Sequence, residues 1–345
     1  MPSDGRAASP GRSPEPGWCT LPKASRRART LSRISTTAVR PLLTGMPGGA
    51  AGVRLTRRLV AGFLALFGPP VTGTETHRVD VPRPGGLSVR GEWVRGPGAG
   101  RRDAVLLYLH GSGYAVCSAR THRGLTSRLS GMAGLPVFAC DYRLAPHHRF
   151  PAAGDDVRAA YDWLLEQGWP AERIVLAGDS AGGHLAVDLV LELARAGRPT
   201  PPGMALFSPL IDLTFALARQ RERVRRDPLV SAARARRLLA LYTRGADAAD
   251  PRLAFDFTGV GALPPTMIQA GAAEMLAADA EYLARCLRAE GGRCELQVWP
   301  DQMHVFQALP VLVPEAEIAL GRAAAFLTAE LALAGAAPLA DREVV

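Results

Sequence analysis

From about residue 76 onward, short apolar runs of strand type alternate with longer stretches of helical periodicity, and this rhythm leaves few architectures open. Strand-like runs fall at 77–81, 87–94, 104–110, 136–141, 173–177, 204–208, 266–270 and 294–299. Helical spacing falls near 121–133, 154–167, 181–196, 277–290 and 314–334. Parallel strands need long crossovers, which helices supply, and such a sheet must be covered on both faces. The expectation is an α/β fold, a mostly parallel eight-stranded sheet flanked by helices. The first two strands read as an antiparallel pair.

One section breaks the rhythm. Between Ser208 and Gly261 there is no clear strand; arginines cluster at 219–226 and 234–237, and helical spacing surrounds Leu238, Leu239 and Leu241. Residues 209–261 therefore read as a helical cap inserted into a core made of 76–208 and 262–340. Residues 1–25, rich in Pro, Gly, Ser and Arg, read as a disordered basic leader, and 26–75 as N-terminal cap helices. Within these, Leu59, Phe63 and Phe67, flanked by Val60 and Leu64, recur at i, i+4, i+8. The stripe is expected to cover the protein's own core or pocket, with a membrane surface as the alternative. No internal repeat is present.

The net charge of +9 suggests a nucleic-acid partner until it is located. Residues 1–60 hold Lys23 and ten arginines against Asp4 and Glu15, and the other 285 residues balance at thirty against thirty. A neutral body without zinc-finger or RNP spacing argues against nucleic acid. Five scattered cysteines (Cys19, Cys117, Cys140, Cys286, Cys294) with no CxxC pair indicate no disulfide framework and favour a reducing, cytoplasmic compartment. Peripheral membrane association through the basic N-terminal region is the weaker alternative. The longest candidate apolar stretch, 59–67, stops at Gly68-Pro69-Pro70, so stable membrane insertion is not expected. Arginines follow Arg26-Arg27 where an export signal would need apolar residues.

The strongest local signal is Ile174-Val175-Leu176-Ala177-Gly178-Asp179-Ser180-Ala181-Gly182-Gly183. It is G-x-S-x-G set directly between a strand and a helix, the context in which a serine projects its Oγ from a sharp turn. Gly178 and Gly182 let strand and helix approach closely there. Seventy residues earlier, Leu107-Tyr108-Leu109-His110 runs into Gly111-Ser112-Gly113-Tyr114. A glycine-rich turn after a strand can aim successive backbone N–H groups at a developing negative charge.

Together His110-Gly111-Ser112-Gly113, Asp141-Tyr142-Arg143-Leu144-Ala145-Pro146 and Gly178-Asp179-Ser180-Ala181-Gly182-Gly183 resemble the hormone-sensitive-lipase family of α/β-hydrolase esterases. Thr121-His122-Arg123, Phe150-Pro151-Ala152-Ala153, Asp227-Pro228-Leu229 and Met303-His304-Val305-Phe306 fit the same pattern, over about residues 30–335. The resemblance implies an α/β-hydrolase fold with a helical cap and hydrolysis of carboxylic esters without metal or organic cofactor. In that fold the chain order is Ser, then Asp/Glu, then His. Of seven histidines only His184 and His304 follow Ser180, and His184 lies four residues on in the same helix, so His304 is the candidate base.

Glu274, in the loop where the family puts its acid, is the first choice for the third member; Asp279 is the second. The family more often has Asp at that position. Its oxyanion hole carries over to the N–H groups of Ser112, Gly113 and Ala181, with Ser112 replacing the commoner glycine. His110 is expected to be structural, and Asp141, Arg143 and Asp179 to brace loops beneath the site through ion pairs. The expected partner is a small ester of short or medium acyl chain. A catalytically silent hydrolase-fold binding protein and a lactone hydrolase are the alternatives, and a homodimer is left open.

Overall fold

Strand β3 (Val105–Leu109) explains the architecture in five residues, all fully buried. Its alternate side chains serve two cores: Val105, Leu107 and Leu109 enter one cluster, Leu106 and Tyr108 the other. A strand buried on both faces reads as a continuous apolar run and needs helices on each side. The computed structural model describes residues 21–41, 49–111 and 113–336. The expected disorder of residues 1–25 therefore falls mostly outside the described residues.

Besides β3, the strands are β1 (Glu75–Pro82), β2 (Ser88–Arg95), β4 (Val137–Cys140), β5 (Ile174–Asp179), β6 (Met204–Phe207), β7 (Thr266–Gly271) and β8 (Cys294–Trp299). They form one eight-stranded sheet in the order β1-β2-β4-β3-β5-β6-β7-β8. β1 pairs antiparallel with β2 and β2 with β4; every other pairing is parallel.

Helices α1 (Arg26–Ile34) and α2 (Gly49–Phe67) precede the sheet. After them come α3 (Arg123–Ala133), α4 (Ala152–Glu166), α5 (Ala181–Arg195), α6 (Ala216–Glu222), α7 (Ala232–Thr243), α8 (Ala277–Ala289) and α9 (Glu315–Ala336). One face of the sheet is covered by α4, α5 and α8 through Val157, Leu164, Leu185, Leu189 and Leu283. The other is covered by α3 and α9 through Leu125, Leu129, Leu320 and Leu327. By length and composition α9 could cross a membrane. Its Ala316, Ala319, Leu320, Ala323 and Leu327 are nevertheless buried in the core. The segment without strand signals, between β6 and β7, holds α6 and α7, the latter capped by Ser231 Oγ accepting from Arg234 N.

The apolar stripe of α2 departs from expectation. Phe67 and Leu64 pack inward and Val53 is buried, but Leu59 is 48% exposed and Phe63 41%. Leu55 and Leu66 share the outward side at 45% and 66%. The helix has two apolar faces, and only the one carrying Val53, Leu64 and Phe67 is covered.

Because β3, β5, β6, β7 and β8 are parallel and consecutive in the sheet, their carboxyl ends lie side by side. Gly111, Gly113, Tyr114, Ser180, Ser208 and the segments Gly271–Glu274 and Asp301–Val305 all emerge there. This is the edge at which open parallel sheets form crevices for ligands.

Candidate active site

Ser180 joins β5 to α5 with φ 51° and ψ −117°, a conformation that non-glycine residues seldom hold. Crowding on either side dictates the turn. A Cβ on Gly178 would lie 2.7 Å from the Gly182 carbonyl oxygen, and one on Gly182 only 1.9 Å from that of Leu109. The main chain of Ser180 is held at both ends: its N–H donates to Phe207 O at 2.9 Å and its carbonyl accepts from Leu210 N at 3.0 Å.

His304 comes from the loop after β8 and meets the serine: its Nε2 is 3.0 Å from Ser180 Oγ. Nδ1 lies 2.5 Å from Glu274 Oε2, so Nδ1 carries the proton and Nε2 faces the hydroxyl as acceptor. The Glu274 side chain is fully buried; that of His304 is 23% exposed. Burial works against a charged imidazole, but the hydrogen bond and charge of Glu274, with Asp227 and Asp179 farther off, outweigh it. The net effect raises the proton affinity of His304 above that of an ordinary imidazole. Asp279, the second candidate acid, faces elsewhere. Its Oδ1 accepts from Ile211 N and Asp212 N, both at 2.8 Å, and it serves the start of the insertion.

Three supporting residues were given no role by the sequence, although Asp227 stands in the Asp227-Pro228-Leu229 motif. Ser208, at the end of β6 with φ 48°, donates from Oγ to Glu274 Oε1 at 2.8 Å and accepts from Val305 N at 3.0 Å. Asp227 accepts from Met275 N at 2.8 Å and from Leu229 and Val230 N–H. Burial pushes its carboxyl up, against the pull of those N–H groups and of His304. Arg221 on α6 donates to the carbonyls of Glu274 and Ala272, each at 2.8 Å. The insertion thus grips the loop that carries Glu274. For Ser208 and Arg221 the only sequence cue was position, in the stretch just after β6; Asp227 had its motif as well.

On the other side of Ser180, Asp179 fixes the glycine-rich turn. Its Oδ1 accepts from Gly111 N at 2.8 Å and Tyr108 Oη at 2.6 Å, and His122 Nε2 lies 3.4 Å away. Burial disfavours both charges of this pair, yet each holds the other ionised: Asp179 is pushed down, His122 up. His110 has the structural place expected of it, stacked on Tyr142 at 4.3 Å, and burial lowers its pKa to about 3.

That value corrects the ion-pair expectation for Asp141, whose nearest imidazole, His110 at 3.9 Å, is neutral. Asp141 braces by accepting from Ala119 N at 2.6 Å. Arg143 does form an ion pair, with Asp156. Of the three expected oxyanion donors, Ser112 lies outside the described residues. Gly113 has φ +53°, and the position of a Cβ there would be 3.0 Å from Leu238 Cδ2 of α7. Ala181 opens α5, where the first backbone N–H groups have no intrahelical acceptor. The next residue of the turn, Tyr114, stacks on Tyr242 of α7 at 4.0 Å and bonds through Oη to His184 Nδ1 at 2.8 Å. Arg57 of α2 ties in the neighbouring loops, donating to Ala115 O and Ala145 O.

Residues 106–308 match the family model described as the alpha/beta hydrolase fold. An acetyl-hydrolase of Streptomyces hygroscopicus is 40% identical over 68% of this chain and 78% of its own length. The carboxylesterase/phospholipase LipF of Mycobacterium tuberculosis is 37% identical over 75% of this chain and 70% of its own. The crystal structure of an esterase from the bacterial hormone-sensitive lipase family superposes with a TM-score of 0.79 at 34% identity, covering 89% of this chain and 99% of that one. The chain belongs to the α/β-hydrolase family, in its hormone-sensitive-lipase branch. By class it is a carboxylic ester hydrolase.

Proposed function

We propose that the protein is a serine carboxylesterase that hydrolyses short- to medium-chain carboxylic esters through an acyl-enzyme on Ser180. The reading is carried by one arrangement, Ser180 Oγ within 3.0 Å of an imidazole whose other nitrogen is held by a buried carboxylate. His304 Nε2 takes the hydroxyl proton as Oγ attacks the ester carbonyl carbon. Glu274 keeps the proton on Nδ1 and stabilises the imidazolium that forms. The N–H groups of Gly113 and Ala181 receive the oxyanion, and each such donor is worth roughly 10²–10³ in rate. The imidazolium then protonates the leaving alkoxide. Water, deprotonated by His304 in turn, attacks the acyl carbon and releases the acid, restoring the Ser180 hydroxyl.

A preference for short acyl chains is supported by what stands next to the glycine-rich turn. The place of a Cβ on Gly113 would be 3.0 Å from Leu238 Cδ2, and Tyr242 stacks on Tyr114 at 4.0 Å, so α7 sets bulky side chains beside the candidate oxyanion donors. The names of relatives, an acetyl-hydrolase and an ethyl acetate hydrolase of Pseudomonas putida at 35% identity, support the same preference.

A panel of p-nitrophenyl esters from two to sixteen carbons, with a lactone included, tests the substrate. Turnover should be greatest on the shorter linear esters, and a maximum at sixteen carbons or on the lactone would overturn the assignment. A fluorophosphonate probe should label the wild type and leave Ser180→Ala unlabelled; an unreactive wild type would identify a silent binding protein.

A further inference from the structure

Helix α2 presents to solvent a face that a water-facing helix does not need. Leu55, Leu59, Phe63 and Leu66 are 45%, 48%, 41% and 66% exposed. At 3.6 residues per turn they fall within about 80° of the helix circumference. Arg54 and Arg58, both exposed, flank that stripe on one side, and Phe67, its ring 4.9 Å from that of Phe63, bounds it on the other, while Val53, Arg57 and Leu64 face away. A contiguous apolar patch rimmed by charge marks an interaction surface.

Two further observations extend the patch. Residues 21–74 contain nine Lys or Arg and no Asp or Glu, and Arg26, Arg27, Arg29 and Arg33 of α1 are exposed beside Ile34 at 51%. The tip of the insertion repeats the pattern, with Val224 91% exposed between Arg223 and Arg225. Leu31 of α1, Leu64 and Phe67 of α2 and Leu229 of the insertion all pack on the cluster of Trp299, Met303 and Phe306, the last two on either side of His304 in the chain. Arg40 also pairs with Glu222 at 3.2 Å, tying the segment after α1 to α6. These three basic, apolar-tipped elements therefore belong to one end of the molecule, the end that carries the site.

We infer that this end docks on an anionic lipid surface, with the outward face of α2 seated in the headgroup region and the arginines of α1, α2 and the insertion tip on acidic headgroups. Charge complementarity selects the partner: a segment with nine cations and no acid favours an anionic surface. Large apolar side chains interleaved with the arginines then favour lipid over nucleic acid, whose phosphates offer nothing to bury a leucine. Docking would set the catalytic end where sparingly soluble esters collect.

Co-sedimentation of the full-length protein with vesicles tests this. The wild type should pellet with equimolar phosphatidylglycerol and phosphatidylcholine, less so in high salt, and stay in solution with phosphatidylcholine alone. Leu59→Ser with Phe63→Ser should lower partitioning about tenfold or more, given the apolar area withdrawn from the interface. Arg54→Glu with Arg58→Glu should do the same, and both pairs should turn over soluble p-nitrophenyl acetate as the wild type does. If the serine pair lost that turnover, the glutamate pair would decide. A wild type that stays in solution overturns the proposal. So does vesicle binding that both pairs retain, or binding lost with the arginines yet kept by a folded serine pair, which would mark a plain polyanion site.

Discussion

Ser208 donates its buried hydroxyl to Glu274 Oε1, the same oxygen that takes Gly271 N–H at 2.6 Å, and so leaves Oε2 entirely to His304. The same hydroxyl receives Val305 N–H, one residue past His304. One side chain therefore fixes both the acid and the base of the site, from a strand end between those that supply Ser180 and Glu274.

Ser208→Ala should lower kcat on soluble esters by roughly tenfold and leave KM nearly unchanged, because the loosened pair affects proton transfer more than ester binding. Val305 N–H left without its acceptor, and Glu274 Oε1 left with Gly271 N–H alone, should cost about 1–3 kcal/mol of stability. Steady-state kinetics and urea unfolding check both. An unaltered kcat would leave Ser208 with packing alone.

The acid limb of the pH profile should reflect a raised imidazole. His304 accepts a proton only when neutral, so activity falls as pH drops through its pKa, which lies above the ordinary 6.5 because Glu274 outweighs burial. Glu274→Gln removes the charge that raises it and should move the inflection downward, with kcat falling by as much as ~10⁴ as the tautomer is lost. A variant profile superimposable on that of the wild type would contradict the coupling.

Gly182→Ala and Leu238→Ala separate the turn from the pocket. A Cβ at 182 would stand 1.9 Å from Leu109 O and 2.5 Å from its carbonyl carbon, both backbone atoms of a central strand. The variant should lose about 3 kcal/mol or more, or fail to accumulate as folded protein. At Gly113 the nearest neighbour of an added Cβ would be the end of a flexible side chain, Leu238 Cδ2 at 3.0 Å. Its truncation should keep the fold and raise turnover of eight-carbon esters relative to acetate by about tenfold.

The sheet was legible because its central strands β3, β4, β5 and β6 are apolar on both faces, and His304 because fold order left no other histidine. Glu274 came before Asp279 because it stands in the loop where the family puts its acid; what sets Asp279 aside in the fold is its side-chain direction, and that depends on Ile211 and Asp212 from a distant part of the chain. The roles of Ser208, Asp227 and Arg221 were illegible for the same reason, although Asp227 stood in a quoted motif: their partners across the fold lie 48 to 97 residues away. Periodicity likewise found the apolar residues of α2 without telling which of its two faces turns inward.

Asp279 also predicts a pH dependence of stability. Burial, with the neighbouring Asp212 and Glu274 charges, pushes its carboxyl from an ordinary 3.8 up to about 7, although the N–H groups of Ile211 and Asp212 oppose this. The folded chain then holds this proton more tightly than the unfolded chain. Its contribution is complete below about pH 4 and is lost as pH rises through about 7. A tenfold difference in proton affinity corresponds to about 1.4 kcal/mol, so the loss is at most about 4 kcal/mol. Asp279→Asn keeps an oxygen for both N–H groups and carries no charge. Whatever the amide itself costs, the fall in unfolding free energy between about pH 4 and pH 8 should be smaller in the variant by that amount. Denaturant titrations across this range measure the difference, and parallel curves for the two proteins would mean that Asp279 is ionised in the fold.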